Sequence, residues 1–232
     1  MVDGFIVTHA VERVDMLPDE AVREWVGEYE PEVSLLTPGA DITMGALDFR
    51  DFYFEHKRQQ QAALDKALGV TEQTLREYAE FSGRTYNIVE PYRLDDAEFA
   101  FVILGAEAAL VRTVVDAARD KGIRVGMLRV RLFRPFPSKT VAQALSHVPV
   151  LGVMDRAIGF GSASNPLVAD VTGALWDADA RPVVRSFVYG LGGRVTTRRM
   201  VESGLDDLLQ AAGSGKLRAD PIYLGLREGG LS

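Results

Sequence analysis

The stretch Arg124–Ala163 constrains the fold more than any other part of the chain. Val125, Met127, Leu128, Val130 and Leu132 form one apolar run. Arg134-Pro135-Phe136-Pro137 ends it, because proline fixes φ and donates no ladder hydrogen bond. A short helix follows, then a second apolar run from Val148 to Met154. Asp155-Arg156 closes that run and Gly159-Phe160-Gly161-Ser162 leads on. This is a βαβ unit whose polar residues fall where each strand runs out. In open α/β sheets, ligands and partners meet the fold at that edge.

The same alternation continues on both sides. Phe99–Leu104 reads as a buried strand and Ala106–Lys121 as a helix whose Leu110, Val111, Val114, Val115 and Ala118 form an apolar stripe. Pro166–Asp177 reads as a helix and Pro182–Tyr189 as a strand. A last helix, capped by Thr196-Thr197, runs through Leu209. The fold class is α/β, a mostly parallel sheet with covering helices joined by right-handed crossovers, preceded by an irregular and helical arm. In the arm, Asp19–Val26 makes about two turns of helix. Residues 51–82 are helical, with an interruption at Gly69 and a second start at Thr71. Phe49, Phe52, Tyr53 and Phe54 are expected to fill a local core. Ile88–Tyr92 is a lead-in to the first strand, and the tail after Gly213 is expected to be poorly ordered or draped on a partner.

Composition narrows the function. The net charge of −7 argues against nucleic acid, whose phosphates need a basic surface. No apolar run approaches the roughly 20 residues of a membrane span. With no cysteine, the chain carries no disulfide and no thiolate ligand for zinc or an iron–sulfur cluster, which fits a reducing, cytoplasmic compartment. His9, His56 and His147 lie too far apart in sequence for a zinc motif. Met1–His9 reads as the end of a buried strand, so the chain is expected to be cut or split from a preceding region.

Gly159-x-Gly161-x-x-Ser164 imitates a dinucleotide fingerprint but lacks the third glycine, so it reads as a flexible turn. Gly190-x-Gly192-Gly193-Arg194 resembles an anion-binding nest near a helix start, which keeps open a stand-alone nucleotide- or anion-binding module. Arg129, Arg131 and Arg134 are expected on one face of a strand, needing intrachain carboxylates or an interface. Asp155 and Arg156 form an ion pair, a partner contact or a site. Asp95-Asp96 and Asp206-Asp207 are expected to be helix-start or solvated charges. No catalytic, cofactor-binding or metal-binding residue is assigned. The interface candidates are Arg129, Arg131, Arg134, Asp155, Arg156 and Arg194.

Five segments occur in order: Asp3-Gly-Phe-Ile-Val-Thr-His9, Gly83-Arg84-x-Tyr86, Arg129-x-Arg131-Leu-Phe-Arg134-Pro-Phe-Pro137, Asp155-Arg156 with Gly159-Phe-Gly161, and Gly190-Leu-Gly-Gly-Arg194. Together they resemble the alpha subunit of pyruvate:ferredoxin oxidoreductases. The resemblance implies a transketolase C-terminal-like domain over residues 92–232. Residues 1–91 would be the trailing part of a pyrimidine-binding domain plus a helical linker. It implies an enzyme that oxidatively decarboxylates pyruvate to acetyl-CoA and passes electrons to ferredoxin, using thiamine diphosphate, magnesium and iron–sulfur clusters. The thiamine-activating glutamate and the substrate-gripping residues are implied to lie before the Asp3 segment. This chain is then the C-terminal part of the alpha subunit, interface-forming and inactive alone. Its partners would be the remaining alpha region, the beta and gamma/delta subunits and ferredoxin. A 2-oxoglutarate or branched 2-oxoacid enzyme of the same family is the alternative.

Overall fold

The computed structural model describes residues 9, 11, 13–31, 34–39, 42, 44, 45, 47–214 and 220–227. Apart from His9, the strand expected at Met1–His9 lies outside them, as does the tail's Gly229-Gly230. The chain divides into two compact units, one of Glu12–Tyr86 and one built on Asn87–Ser232.

In the first unit, helix α1 (Asp19–Val26) carries Asp19 and Glu20 in its first turn, where the helix dipole favours them. It is fixed by Trp25, which stacks on Phe81 at 5.1 Å and meets Tyr78 edge-on at 5.7 Å. Both rings belong to helix α2 (Tyr53–Ser82), which is continuous through Gly69. The expected interruption is absent because the Thr71 hydroxyl donates back to the Ala67 carbonyl at 2.7 Å, inside the helix, instead of capping a new one. One exposed glycine costs only about 1 kcal/mol against the good helix formers around it. The aromatic cluster does not fill a core: Phe49, Phe52 and Phe54 are 68%, 62% and 79% exposed. Trp25 packs on the far end of α2 and leaves these rings at its start exposed.

The second unit holds β1 (Val89–Tyr92), β2 (Phe99–Leu104), α3 (Ala108–Arg119), β3 (Val125–Val130), α4 (Ser138–Leu145), β4 (Val150–Asp155), α5 (Pro166–Asp177), β5 (Val183–Val188), α6 (Arg198–Ser214) and β6 (Ile222–Tyr223). The strands form one six-stranded sheet in the order β1-β3-β2-β4-β5-β6. All neighbours are parallel except β1, which runs antiparallel to β3. The mostly parallel α/β class therefore holds. The lead-in at Ile88–Tyr92 is a true edge strand instead, and part of the tail is β6.

Helices α4 and α5 cover one face over Val102, Leu128, Leu151 and Val153. Helices α3 and α6 cover the other over Phe101, Met127, Met154 and Phe187. Period-two alternation of the strands feeds both cores. The β5-to-β6 link runs through α6 on the α3 side, opposite in hand to the β4-α5-β5 link. The right-handed rule fails at this step because the apolar stripe of α6 docks on β4 and β5, and a two-residue strand gives little to oppose it. On the α5 side of β5 and β6, no helix beyond α5 itself lies among the described residues.

Of the two acidic pairs, Asp95, Asp96 and Asp206 are solvent-exposed as expected, and only Asp207 departs from that, being partly buried. Asp96 pairs with Arg119, and Asp207 with Arg185.

Candidate functional site

The carboxyl edge of the parallel strands gathers most of the candidate residues. Asp155 is the last residue of β4 and is buried. Its carboxylate accepts the Leu167 N–H at 2.8 Å, in the first turn of α5. The side chain thus serves as the helix cap, with Pro166 at the start where no donor is needed. Burial pushes the Asp155 carboxyl above the ordinary aspartate value. Hydrogen bonds from the Leu167 and Val168 backbone oppose that shift, and the nearby Asp170 charge adds to it. A phosphate would find its natural seat at this helix end. Here the protein's own carboxylate fills it.

The loop after β4 is pinned by Asn165. Its Oδ1 accepts the Gly159 N–H at 3.2 Å and its Nδ2 donates to Ser186 Oγ on β5 at 3.0 Å. A Cβ on Gly159 would lie 2.6 Å from the Ser164 carbonyl, so the first glycine is a packing requirement of a fixed turn. With α5, β5 and the start of β6, this loop lines an open cleft of about 610 Å³ whose walls include Ser162, Thr172, Ser186 and Tyr223. The cleft lies on the side of β5 that α6 leaves uncovered.

Arg156 reaches across to β5 and donates to the Gly190 carbonyl at 3.3 Å. Gly190 has φ +62, a backbone shape that favours glycine, and a Cβ there would sit 2.9 Å from Arg156 Nε and displace that side chain. Arg194 donates to the Gly225 carbonyl at 2.6 Å, tying the glycine loop to the segment after β6.

The three arginines of the third strand are not on one face. Arg129 and Arg131 turn to the α3 side, where both pair with Glu90 of β1, at 3.5 and 3.0 Å. Arg112 of α3 joins them at 3.5 Å. Arg134 lies beyond the strand's end, where the proline exit changes the chain's direction. It pairs with Asp170 of α5 at 2.9 Å and lies over the Phe133 ring. Alternation applies only within the strand, which ends at Val130. Glu90, Arg112 and Asn165 were not singled out in the sequence. Glu90 and Arg112 become visible only once β1 is recognised as a strand pairing with β3.

Among the described residues, no group of three or more His, Asp or Glu side chains is arranged to hold a metal ion. With the α5 N-terminus filled by Asp155, that helix end does not fit a magnesium–diphosphate group. No thiolate is available for a cluster. Among the described residues, no helix is long and apolar enough to cross a membrane.

Two family models match the chain. Pyruvate:ferredoxin oxidoreductase core domain II matches residues 97–201, which hold most of the sheet. The thiamine-diphosphate-binding model of pyruvate flavodoxin/ferredoxin oxidoreductases matches residues 1–76. The chain is similar to the pyruvate synthase subunit PorA of Thermotoga maritima, 43% identical over 97% of this chain and 57% of that protein. It is 34% identical to PorA of Pyrococcus horikoshii over the same shares of each. It is also 34% identical to the ketoisovalerate oxidoreductase subunit VorA of Pyrococcus abyssi, over 92% of this chain and 54% of that protein. The chain thus spans little more than half the length of the curated relatives it matches.

Proposed function

The chain belongs to the pyruvate:ferredoxin oxidoreductase family, and from that premise we propose that it is the C-terminal part of an alpha subunit. The whole enzyme oxidatively decarboxylates pyruvate to acetyl-CoA and passes the electrons to ferredoxin in the cytoplasm. The 43% identity to PorA along nearly the whole chain carries this reading. Residues 92–232 are the transketolase C-terminal-like domain, and residues 1–91 are the trailing part of the pyrimidine-binding domain with its linker. Thiamine diphosphate, magnesium and iron–sulfur clusters sit on other polypeptide of the complex. This chain supplies a rigid sheet edge to the remaining alpha region and to the beta and gamma/delta subunits. Arg129, Arg131, Arg134, Asp155, Arg156 and Arg194 lie on or behind the surfaces it presents.

The similarity to VorA supports a second reading, a branched 2-oxoacid as substrate. One experiment separates the two. The chain is reconstituted with the remaining alpha region and the beta and gamma/delta polypeptides. Dye reduction is then followed with pyruvate, 2-oxoisovalerate or 2-oxoglutarate, in the presence of thiamine diphosphate and coenzyme A. Pyruvate is expected to give the highest kcat/KM, and the chain alone no turnover. Preference for the branched acid would establish the second reading, and turnover by the chain alone would sink both.

A further inference from the structure

The β1 edge gathers more guanidinium groups than carboxylates among the described residues. Three guanidinia converge on the one Glu90 carboxylate: Arg112 at 3.5 Å, Arg129 at 3.5 Å and Arg131 at 3.0 Å. Arg131 is held further by its bond to the Asn87 carbonyl. Arg112 lies over the Tyr92 ring at 4.4 Å; Arg93, beyond the same ring at 5.7 Å, already has a carboxylate partner in Asp116 at 3.0 Å. A guanidinium offers five donors in a rigid fork, whereas a single carboxylate accepts about four hydrogen bonds. The Arg112 and Arg129 side chains remain 45% and 30% exposed, and their only ion pairs among the described residues are the long ones to Glu90. Like charges held this close repel, and a second carboxylate would relieve that repulsion and take up the open forks. The patch is positive on a chain whose net charge is −7, so it stands out electrostatically from its surroundings.

The edge itself resists the other mode of recognition. β1 has only four residues, and Pro91 removes one backbone donor from it, which blunts strand addition. We infer that the Arg112–Arg129 face beside Glu90 is a docking surface for an acidic, carboxylate-bearing segment of a partner polypeptide. This rests on the reading of the chain as part of a larger complex.

The test uses the full chain and dye-labelled decaglutamate, followed by fluorescence anisotropy. Binding is expected at low salt and should weaken as salt rises. The Arg112→Gln/Arg129→Gln variant should bind at least about tenfold more weakly. Arg112→Lys/Arg129→Lys should retain part of the binding, and Arg181→Gln should change nothing. Circular dichroism melting separates lost binding from lost fold. Equal binding by wild type and the Gln pair would overturn the inference, as would no binding at all. Inorganic phosphate displacing the peptide at lower concentration than free glutamate would point to a phosphate site and also overturn it. Subunit membership is judged separately, by turnover of the reconstituted enzyme.

Discussion

Arg185 of β5 and Asp207 of α6 form an ion pair at 3.0 Å, with side chains only 11% and 20% exposed. It is the polar link in an otherwise apolar joint between α6 and the sheet, where Val201, Leu205 and Leu208 pack against Phe187. Because α6 takes the unusual side for its crossover, this joint decides which face of β5 stays open to form the cleft.

Breaking the pair one side at a time should be costly. Asp207→Ala leaves a largely desolvated guanidinium without its counter-ion, and about 2–3 kcal/mol of unfolding free energy should be lost. Replacing both partners by apolar residues, Arg185→Met with Asp207→Leu, should recover most of that loss. Urea unfolding of the single and double variants measures both. A double variant as unstable as the sum of the two singles would mean the side chains do not act as a pair.

Asp155 gives a pH signature of opposite sense to a salt-bridged carboxylate. Its folded-state pKa is raised, so between the unfolded and folded values the native state holds more proton than the unfolded state. Its contribution to stability therefore falls as pH rises through that window. Asp155→Asn keeps an acceptor for the Leu167 N–H and cannot ionise. The difference in stability, Asn minus Asp, should be flat below the window and climb through it. Urea midpoints measured from pH 3 to 7 on both proteins test this, and a difference that stays level throughout would refute it. Asp155→Ala, which removes the cap, should cost about 1 kcal/mol on the acid side of the window, where no charge is involved.

How much of this was legible beforehand depends on the range of the signal. Phe99–Leu104 and Pro166–Asp177 were readable to the residue because their apolar patterns are local and complete. β1 was not, since Val89-Glu90-Pro91-Tyr92 has no strand pattern of its own and is a strand only by pairing with β3. The Glu90 cluster was hidden with it. β6 likewise exists through two pairings with β5. Asp155 was singled out as a strand-end acid, but its burial under the start of α5 depends on how tightly the loop turns, which Asn165 and Ser186 fix across a separation of twenty-one residues. The arginine run misled because alternation was extended past the strand's end at Val130.

Gly126 looks in the sequence like any residue of a buried strand, yet a Cβ there would lie 2.5 Å from the Arg93 carbonyl and 2.8 Å from Leu94 Cδ2. The obstacle is backbone, so it cannot rotate away. Gly126→Ala should destabilise the second unit by about 3 kcal/mol, at the upper end for overpacking. Gly173, on the exposed side of α5, meets nothing within 4 Å. Gly173→Ala should stabilise by about 0.5–1 kcal/mol through the unfolded chain's lost freedom. Thermal melts of the two variants should move in opposite directions, and a matched loss would mean the crowding at Gly126 is not what sets the cost.

Arg119 ends α3 in a position that reads as an ordinary solvated helix terminus, but its side chain is only 14% exposed. Nε donates to the Val125 carbonyl at 2.7 Å, Nη2 to the Arg93 carbonyl at 2.7 Å and Nη1 to Asp96 at 2.8 Å. One planar fork thus ties the end of α3 to the start of β3, to the turn after β1 and to the segment before β2. The guanidinium holds the Asp96 carboxyl below the ordinary aspartate value. Lysine keeps the charge but presents a point donor that cannot reach three directions at once. Arg119→Lys should therefore cost about 2 kcal/mol, nearly as much as Arg119→Met, because the two backbone carbonyls lose their partners either way. The Asp96 contribution has its own pH dependence: it is present above the unfolded value and lost as pH falls through the lowered folded one. Asp96→Asn should remove only that acid-side dependence and leave the rest of the Arg119 contribution in place. Denaturation of the three variants at pH 7 and at pH 3 resolves the two parts. If Arg119→Lys matched wild type, the fork geometry would be irrelevant and charge alone would hold this corner.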